Sequence, residues 1–340
     1  MRQNNFDFLR FFFAFVVVIG HLIIISQIKS FQVLTPFFST YISVTAFFCI
    51  SGFLISQSYL KSKSLKSYFQ KRAARLLPAY ILVILLSGLF LSFVSRYSFM
   101  EYFTHPQLLK FFCSNFSFLN FIQPCVPGVF LEEGINCDVN GALWTLKVEI
   151  SFYLSIPIIL YIIEKAKRKY ILLIILYLLS VIFKNSFELL YLHTHNSSYN
   201  IIARQLPGFL SYFVSGIGIY YYLDFFEKNK IWLIAIGLII LVIEKKLEFE
   251  ILTPVALAVV VFTIAFSFKS LNSFGKYGDV SYGIYIFHYP IIKTVKSLGF
   301  FENYNPVIVS IFLIFIILLT GFISWHFVEK RFIKISHSAK

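Results

Sequence analysis

The sequence predicts an all-α integral membrane protein, a bundle of about ten transmembrane helices with both termini cytoplasmic. Three observations carry that prediction. Hydrophobic residues make up 58% of the 340 positions and charged residues only 14%, with a mean hydropathy of +0.78. A soluble domain of that length needs more charge to cover its surface. The apolar residues arrive in blocks that approach the roughly 20 helical residues needed to cross a bilayer. They do not form the roughly 10-residue alternating segments of an outer-membrane barrel. Finally, Lys and Arg gather on one set of connecting segments, as cytoplasmic loops of membrane proteins do.

The first block, 9–28, contains Arg10 and His21. It is too long and too polar for a cleaved signal peptide, and no small-residue cleavage site follows it. It is therefore the first membrane helix. The remaining spans are 37–57, 78–95, 142–163, 170–184, 206–226, 231–244, 251–268, 280–293 and 306–328. The spans 170–184, 231–244 and 280–293 are short for a full crossing, so their flanks extend the helices or the bilayer thins around them.

With the N-terminus inside, twenty of the thirty Lys and Arg fall on inner segments and nine, among them Lys184 and Lys293, on outer ones. Lys147 lies within a span. The formal charge of +14 thus reads as inward-facing loops, with no nucleic acid implied. No repeat or linker divides the chain, which reads as a single membrane domain over 1–340. The longest loop, 96–141, faces outward, with Glu132 near its far end. It carries Cys113, Cys125 and Cys137. In an oxidising space Cys125 and Cys137 either pair or stay free, and the spacing matches no metal site.

Ionisable residues at membrane depth are costly and are functional candidates by default. Arg10 and His21 are eleven residues apart, which returns them to nearly one helix face about 16 Å apart along the axis. Arg10 then sits at the inner boundary and His21 in the outer half. Glu149 lies about 10 Å below the outer face, level with His21, where a carboxylate can fix an imidazole's tautomer and stabilise its cation. Lys147 is only two residues from Glu149 and points elsewhere. His288 also falls in the outer half. Arg72 and Arg75, in an inner loop, share one face if that segment is helical, and guanidinium forks match phosphate oxygens. Each residue has a plainer reading: a snorkelling arginine, a packed histidine, an ordinary inner cation cluster. Together they suit a donor with a phosphorylated head bound from inside and a long arm reaching an imidazole–carboxylate pair. Coenzyme A thioesters have that shape.

At this point the chain resembles the acyltransferase 3 family of bacterial membrane acyltransferases, which includes O-antigen and peptidoglycan O-acetyltransferases. Asp7-Phe8-Leu9-Arg10 followed by His21 is similar to that family's first-helix pattern. Phe47-Phe48-Cys49-Ile50-Ser51-Gly52-Phe53-Leu54-Ile55 and Arg72-Ala73-Ala74-Arg75 resemble its next signatures. So do Pro127-Gly128-Val129-Phe130, Asn140-Gly141-Ala142-Leu143-Trp144-Thr145-Leu146 leading to Glu149, Ser281-Tyr282-Gly283-Ile284-Tyr285 with His288, and Phe327-Val328-Glu329-Lys330.

The resemblance implies that Arg10, Arg72 and Arg75 bind the head of an acyl-CoA donor, usually acetyl-CoA. His21 would be the central catalytic histidine and Glu149 an essential acidic partner. On the residues alone, His288 and His21 can exchange roles. Asn140, Trp144, Tyr153, Ser281 and Tyr282 are the expected substrate-binding residues. The implied acceptor is a hydroxyl of an envelope glycan or lipid-linked saccharide, and the implied location is the bacterial inner membrane. Some relatives carry an extra soluble hydrolase-like domain, which is not expected here. Either acceptor chemistry happens within the membrane domain or a separate periplasmic partner completes it. The rival class is a carrier of acyl groups or small solutes without transferase chemistry, since buried charges in ten helices also describe transporters.

Overall fold

The computed structural model describes residues 4–131, 136–247 and 250–338. Among them the chain forms fifteen α-helices and no strand. Glu132 lies outside the described residues. Six stretches are helical, long and apolar enough to cross a membrane: Phe6–Ser26, Thr40–Leu60, Leu65–Val94, Gly141–Lys165, Lys169–Thr194 and Pro306–Ile335. The other four expected spans are helices too. In chain order the elements are α1 (Phe6–Ser26), α2 (Thr40–Leu60), α3 (Leu65–Phe90), α4 (Phe99–Thr104), α5 (Pro106–Phe116), α6 (Trp144–Lys165), α7 (Lys169–Thr194) and α8 (Ser197–Ala203). There follow α9 (Leu206–Tyr221), α10 (Leu223–Leu247), α11 (Thr253–Ser267), α12 (Ser281–Ser297), α13 (Phe300–Asn303), α14 (Pro306–Ile323) and α15 (Lys330–Ser338).

Two sequence expectations change, the start of the third span and the setting of two lysines, and one is met. The third span does not begin at Pro78: α3 starts at Leu65 and runs through Pro78, so Arg72 and Arg75 are helical residues and not loop residues. Proline favours a first helical turn, but a membrane helix tolerates it inside where neighbours satisfy the freed backbone. The short spans 170–184, 231–244 and 280–293 gain their length from polar flanks, as α7, α10 and α12. Lys184 and Lys293 are not loop cations, being only 4% and 2% exposed.

The chain forms two compact units. The first contains residues up to Arg10, Tyr41–Phe69 and Val148–Lys276. Here α2 and α9 cross backbone to backbone. A Cβ on Gly52 would fall 2.1 Å from the Phe213 carbonyl oxygen, and one on Gly216 would fall 2.0 Å from that of Cys49. Small residues at a crossing let membrane helices approach closely. Pro157 inside α6 deprives the Tyr153 carbonyl of its helical donor, and the buried Tyr68 hydroxyl replaces it at 3.0 Å. Glu244 accepts from the backbone N–H groups of Leu252 (2.7 Å) and Thr253 (2.6 Å), a carboxylate cap on α11. Lys184 pairs with Glu250 and donates to the Tyr41 hydroxyl at 2.6 Å. That arrangement keeps a buried ammonium satisfied.

The second unit contains Phe11–Thr40, Gln70–Lys147 and the chain from Tyr277 onward. α12 and α14 meet at Gly283, where a Cβ would fall 3.0 Å from the Gly321 Cα. Pro290 inside α12 frees the Ile286 carbonyl, and the Asn140 side-chain amide donates to it at 2.8 Å. Cys125 and Cys137 form a disulfide with Cα atoms 5.3 Å apart, while Cys49 and Cys113 are free. Beyond α14 the helix widens into a π turn at Ser324–Glu329.

Candidate active site

The second unit brings together His21 from α1 and His288 from α12. His21 Nδ1 lies 2.8 Å from His288 Nε2, and the rings stack with centroids 5.0 Å apart. His288 is fully buried, whereas His21 is half-buried. His288 Nδ1 is 2.6 Å from the Tyr285 carbonyl oxygen, which only accepts, so that nitrogen carries the proton. For two neutral rings, His288 Nε2 then holds a lone pair and must accept from His21 Nδ1–H. The lone pair of His21 is left on Nε2. The Tyr289 ring packs edge-on against His21 at 5.2 Å.

Such a relay fixes one tautomer of His21 through a ring-to-ring hydrogen bond. A proton taken up at His21 Nε2 leaves the Nδ1–H bond to His288 in place, and the Tyr285 carbonyl holds His288 in the accepting orientation. The pair can therefore support proton transfer at a single ring nitrogen, or nucleophilic attack from it.

The segment ahead of α6 supports this pair. Asn140 caps the Ile286 carbonyl through its amide and the Ala142 N–H through its oxygen at 3.2 Å. It acts on backbone at both ends. Thr145 and Tyr285 exchange a hydroxyl hydrogen bond of 2.7 Å, joining α6 to α12 within the unit. Trp144, half-buried, opens α6.

A second cluster of the same unit gathers Arg75, Asp279, Ser281, Ser324 and Glu329. Arg75 pairs with Asp279 and lies 3.8 Å from Glu329, with its guanidinium 5.8 Å over the Trp325 ring. Glu329 is fully buried and accepts from Ser324 at 2.8 Å. The Ser281 hydroxyl donates to Asp279, and the Tyr282 hydroxyl donates to the Leu76 carbonyl at 2.9 Å. Arg75, Ser281 and Tyr282 are thus engaged in tying α3, α12 and the π turn together. Arg72, three residues before Arg75 on α3, is half-buried.

The first unit holds the other predicted residues. Glu149 accepts from the Tyr153 hydroxyl at 2.5 Å and from Ser51 at 3.4 Å. Arg10 pairs with Asp7 at 2.7 Å. A cavity of about 480 Å³ in this unit has Phe6, Phe53, Lys61, Tyr220, Tyr221 and Phe266 in its walls. Lys147, in the second unit, lies 4.7 Å over the Phe121 ring. Among the described residues no three His, Cys, Asp or Glu gather as metal ligands.

Sequence reasoning missed Asp279, Tyr289 and Lys293, and gave Glu329 no role. A signal existed for two of them. Tyr285, Tyr289 and Lys293 recur every four residues, which is one stripe of a helix beside His288.

Comparison with known proteins places the chain in a family. An acyltransferase domain model of the acyltransferase 3 family matches residues 3–326. Nodulation protein 10 of Rhizobium leguminosarum bv. viciae is 28% identical over 330 residues, covering 88% of this chain and 85% of that protein. An O-acetyl transferase of Shigella phage Sf6 is 23% identical over 336 residues, covering 98% of this chain and 96% of the phage protein. No solved structure matches the chain. With a family match over nearly its whole length and a histidine pair held among membrane-type helices, the chain belongs to the acyltransferase 3 family and is a membrane acyltransferase.

Proposed function

We propose that this enzyme is an O-acetyltransferase of the bacterial inner membrane, moving an acetyl group from cytoplasmic acetyl-CoA to a hydroxyl of an envelope glycan. The single observation that carries the reading is the free lone pair on His21 Nε2, fixed by the 2.8 Å bond to His288. The relative named as an O-acetyl transferase supports transfer to oxygen. Acceptors of this class include lipopolysaccharide O-antigen, other surface polysaccharides and lipid-linked saccharides.

In this mechanism His21 Nε2 removes the proton of the acceptor hydroxyl as its oxygen attacks the thioester carbonyl. The new C–O bond forms, the C–S bond breaks, and the departing thiolate takes the proton from the His21 imidazolium. His288 keeps the ring oriented throughout, and Glu149 is an acidic residue that the reaction requires. Positioned proton transfer of this kind contributes about 10²–10⁴ in rate. The same nitrogen serves a route through an acetyl-imidazole, in which the acceptor attacks second.

Arg10 and Arg72 are the donor-head residues in this reading. The aromatic walls and Lys61 of the 480 Å³ cavity suit an adenine ring and a phosphate. Arg75 serves the structural cluster first. The Lys and Arg distribution favours both termini inside, and the ten hydrophobic segments, an even number, agree with that orientation. A periplasmic partner is needed only if acceptor delivery occurs beyond the membrane domain.

Mass spectrometry of surface glycans tests the reading. A deletion strain loses one class of O-acetyl group, and the wild-type gene restores it while a His21→Ala gene does not. Unchanged glycans in the deletion strain, with no acetyl transfer from labelled acetyl-CoA by purified protein, would overturn it.

A further inference from the structure

Lys293 has no part in the mechanism above, yet it is one of the most completely enclosed charges in the molecule. It lies on α12 five residues beyond His288 and is 2% exposed. Its ammonium donates to the carbonyl oxygens of Asn136 and Asp138 and lies 3.3 Å from the Asp138 carboxylate. Three oxygens thus lie within hydrogen-bonding distance of an ammonium that has three N–H donors. The rings of Phe130 at 4.6 Å and Tyr289 at 5.7 Å face the same charge.

The two carbonyls that hold Lys293 belong to the residues flanking Cys137, which is bonded to Cys125. From Cys137 the chain runs directly into the catalytic support. Val139 N–H bonds to the Pro124 carbonyl at 2.9 Å, and Asn140 caps Ile286. Gly141 presses so closely on α12 that a Cβ there would fall 2.7 Å from the Tyr289 hydroxyl. Tyr289 in turn packs against His21. An unbroken set of contacts inside one unit therefore links the disulfide to the reactive ring.

We infer that segment 136–141, fastened by the Cys125–Cys137 disulfide and seated on Lys293, is a positioning element for His21, so that the enzyme is fully active only with the disulfide formed. The inference rests on the reading of His21 as the reacting base. Loss of the seat leaves a buried ammonium short of acceptors, which is costly, so segment and helix shift together. Cys137 is half-buried and open to a reductant. A dithiol breaks the S–S bond by supplying two electrons and two protons, yielding two cysteine thiols as it closes to its own disulfide. An outward-facing loop in an oxidising compartment keeps the bond formed.

The experiment uses the full-length protein in detergent, assayed before and after dithiothreitol and after reoxidation. Two readouts run in parallel: acetyl transfer from acetyl-CoA, and the rate of diethyl pyrocarbonate modification of His21 measured by mass spectrometry. Reduction should lower kcat at least about 10-fold while donor KM changes less than about 2-fold, as misplacement of a catalytic group does without loss of binding. His21 modification should accelerate several-fold, and reoxidation should reverse both changes. A Cys125→Ala/Cys137→Ala variant should match the reduced enzyme and ignore dithiothreitol, and Lys293→Met should match it while still oxidised. Equal kcat and equal His21 reactivity in the two redox states would overturn the inference. So would a fall in kcat seen only with loss of folded, monodisperse protein. A redox-dependent His21 reactivity in a protein that transfers no acetyl group would uphold the positioning role and sink the transferase reading instead.

Discussion

His21 and His288 share one hydrogen bond of 2.8 Å, and it makes the two rings chemically unequal. His288 is committed at both nitrogens, to the Tyr285 carbonyl and to His21. His21 is committed at one. In the proposed mechanism the proton-accepting role therefore falls to His21 and the orienting role to His288.

That inequality is testable with one residue type at both positions. Glutamine keeps hydrogen-bonding capacity but takes no proton at neutral pH. His21→Gln and His21→Ala should both lose about 10²–10⁴ in kcat, with normal abundance. His288→Gln presents an amide oxygen where Nε2 accepted, and should retain more activity than either His21 variant or His288→Ala. Near wild-type transfer by His21→Gln would move the base to His288.

The Asn140–Pro290 relationship predicts a coupling energy. Asn140 donates to the Ile286 carbonyl only because Pro290 cannot. Asn140→Ala should cost about 1–2 kcal/mol of stability by leaving that carbonyl unsatisfied. In a Pro290→Ala background, an alanine N–H bonds to the same carbonyl, and the cost of Asn140→Ala should largely vanish. Thermal unfolding of the four proteins measures the cycle. Simple additivity would mean that Asn140 stabilises something other than Ile286.

The helical class and the six long apolar helices were legible because bilayer crossing demands long apolar blocks, which stand out in a sequence. His21 and His288 were legible for a related reason: an ionisable residue inside such a block stands out. Their partnership was not, because 267 residues separate them and nothing local encodes the contact. Lys184 and Lys293 were misread as loop cations for the opposite reason. Each lies near the end of an expected span, where a sequence cannot distinguish a solvated cation from one enclosed by carbonyls and carboxylates. The start of α3 was misplaced because Pro78 looks like a first-turn proline unless the neighbouring structure is known.

Glu149 gives a third prediction. Its carboxylate accepts from Tyr153 and Ser51, so Glu149→Gln changes charge with little change of shape. Transfer should fall, and adding the substitution to His21→Ala should lower the residual rate little further, since residues acting as a unit are not additive. Independent, multiplicative losses would assign Glu149 a separate task such as substrate binding.

The two arginines of α3, alike in sequence, should behave differently. Arg75 faces Asp279 and the fully buried Glu329, and removing the guanidinium leaves two enclosed carboxylates without their cation. Breaking a buried ion pair from one side costs about 3–5 kcal/mol, so Arg75→Ala should lower abundance and melting temperature before any effect on donor binding is considered. Arg72→Ala should accumulate normally and bind acetyl-CoA more weakly, which is the signature of a donor contact. The double variant Asp279→Asn/Glu329→Gln supplies the control. It removes the carboxylates that Arg75 neutralises, and should recover much of the stability lost in Arg75→Ala while leaving the Arg72→Ala defect unchanged. Membrane abundance, melting temperature and acetyl-CoA affinity for each variant decide the matter. If Arg75→Ala instead accumulates as wild type and loses donor affinity as Arg72→Ala does, both guanidiniums serve the donor and the Asp279–Glu329 cluster holds without either.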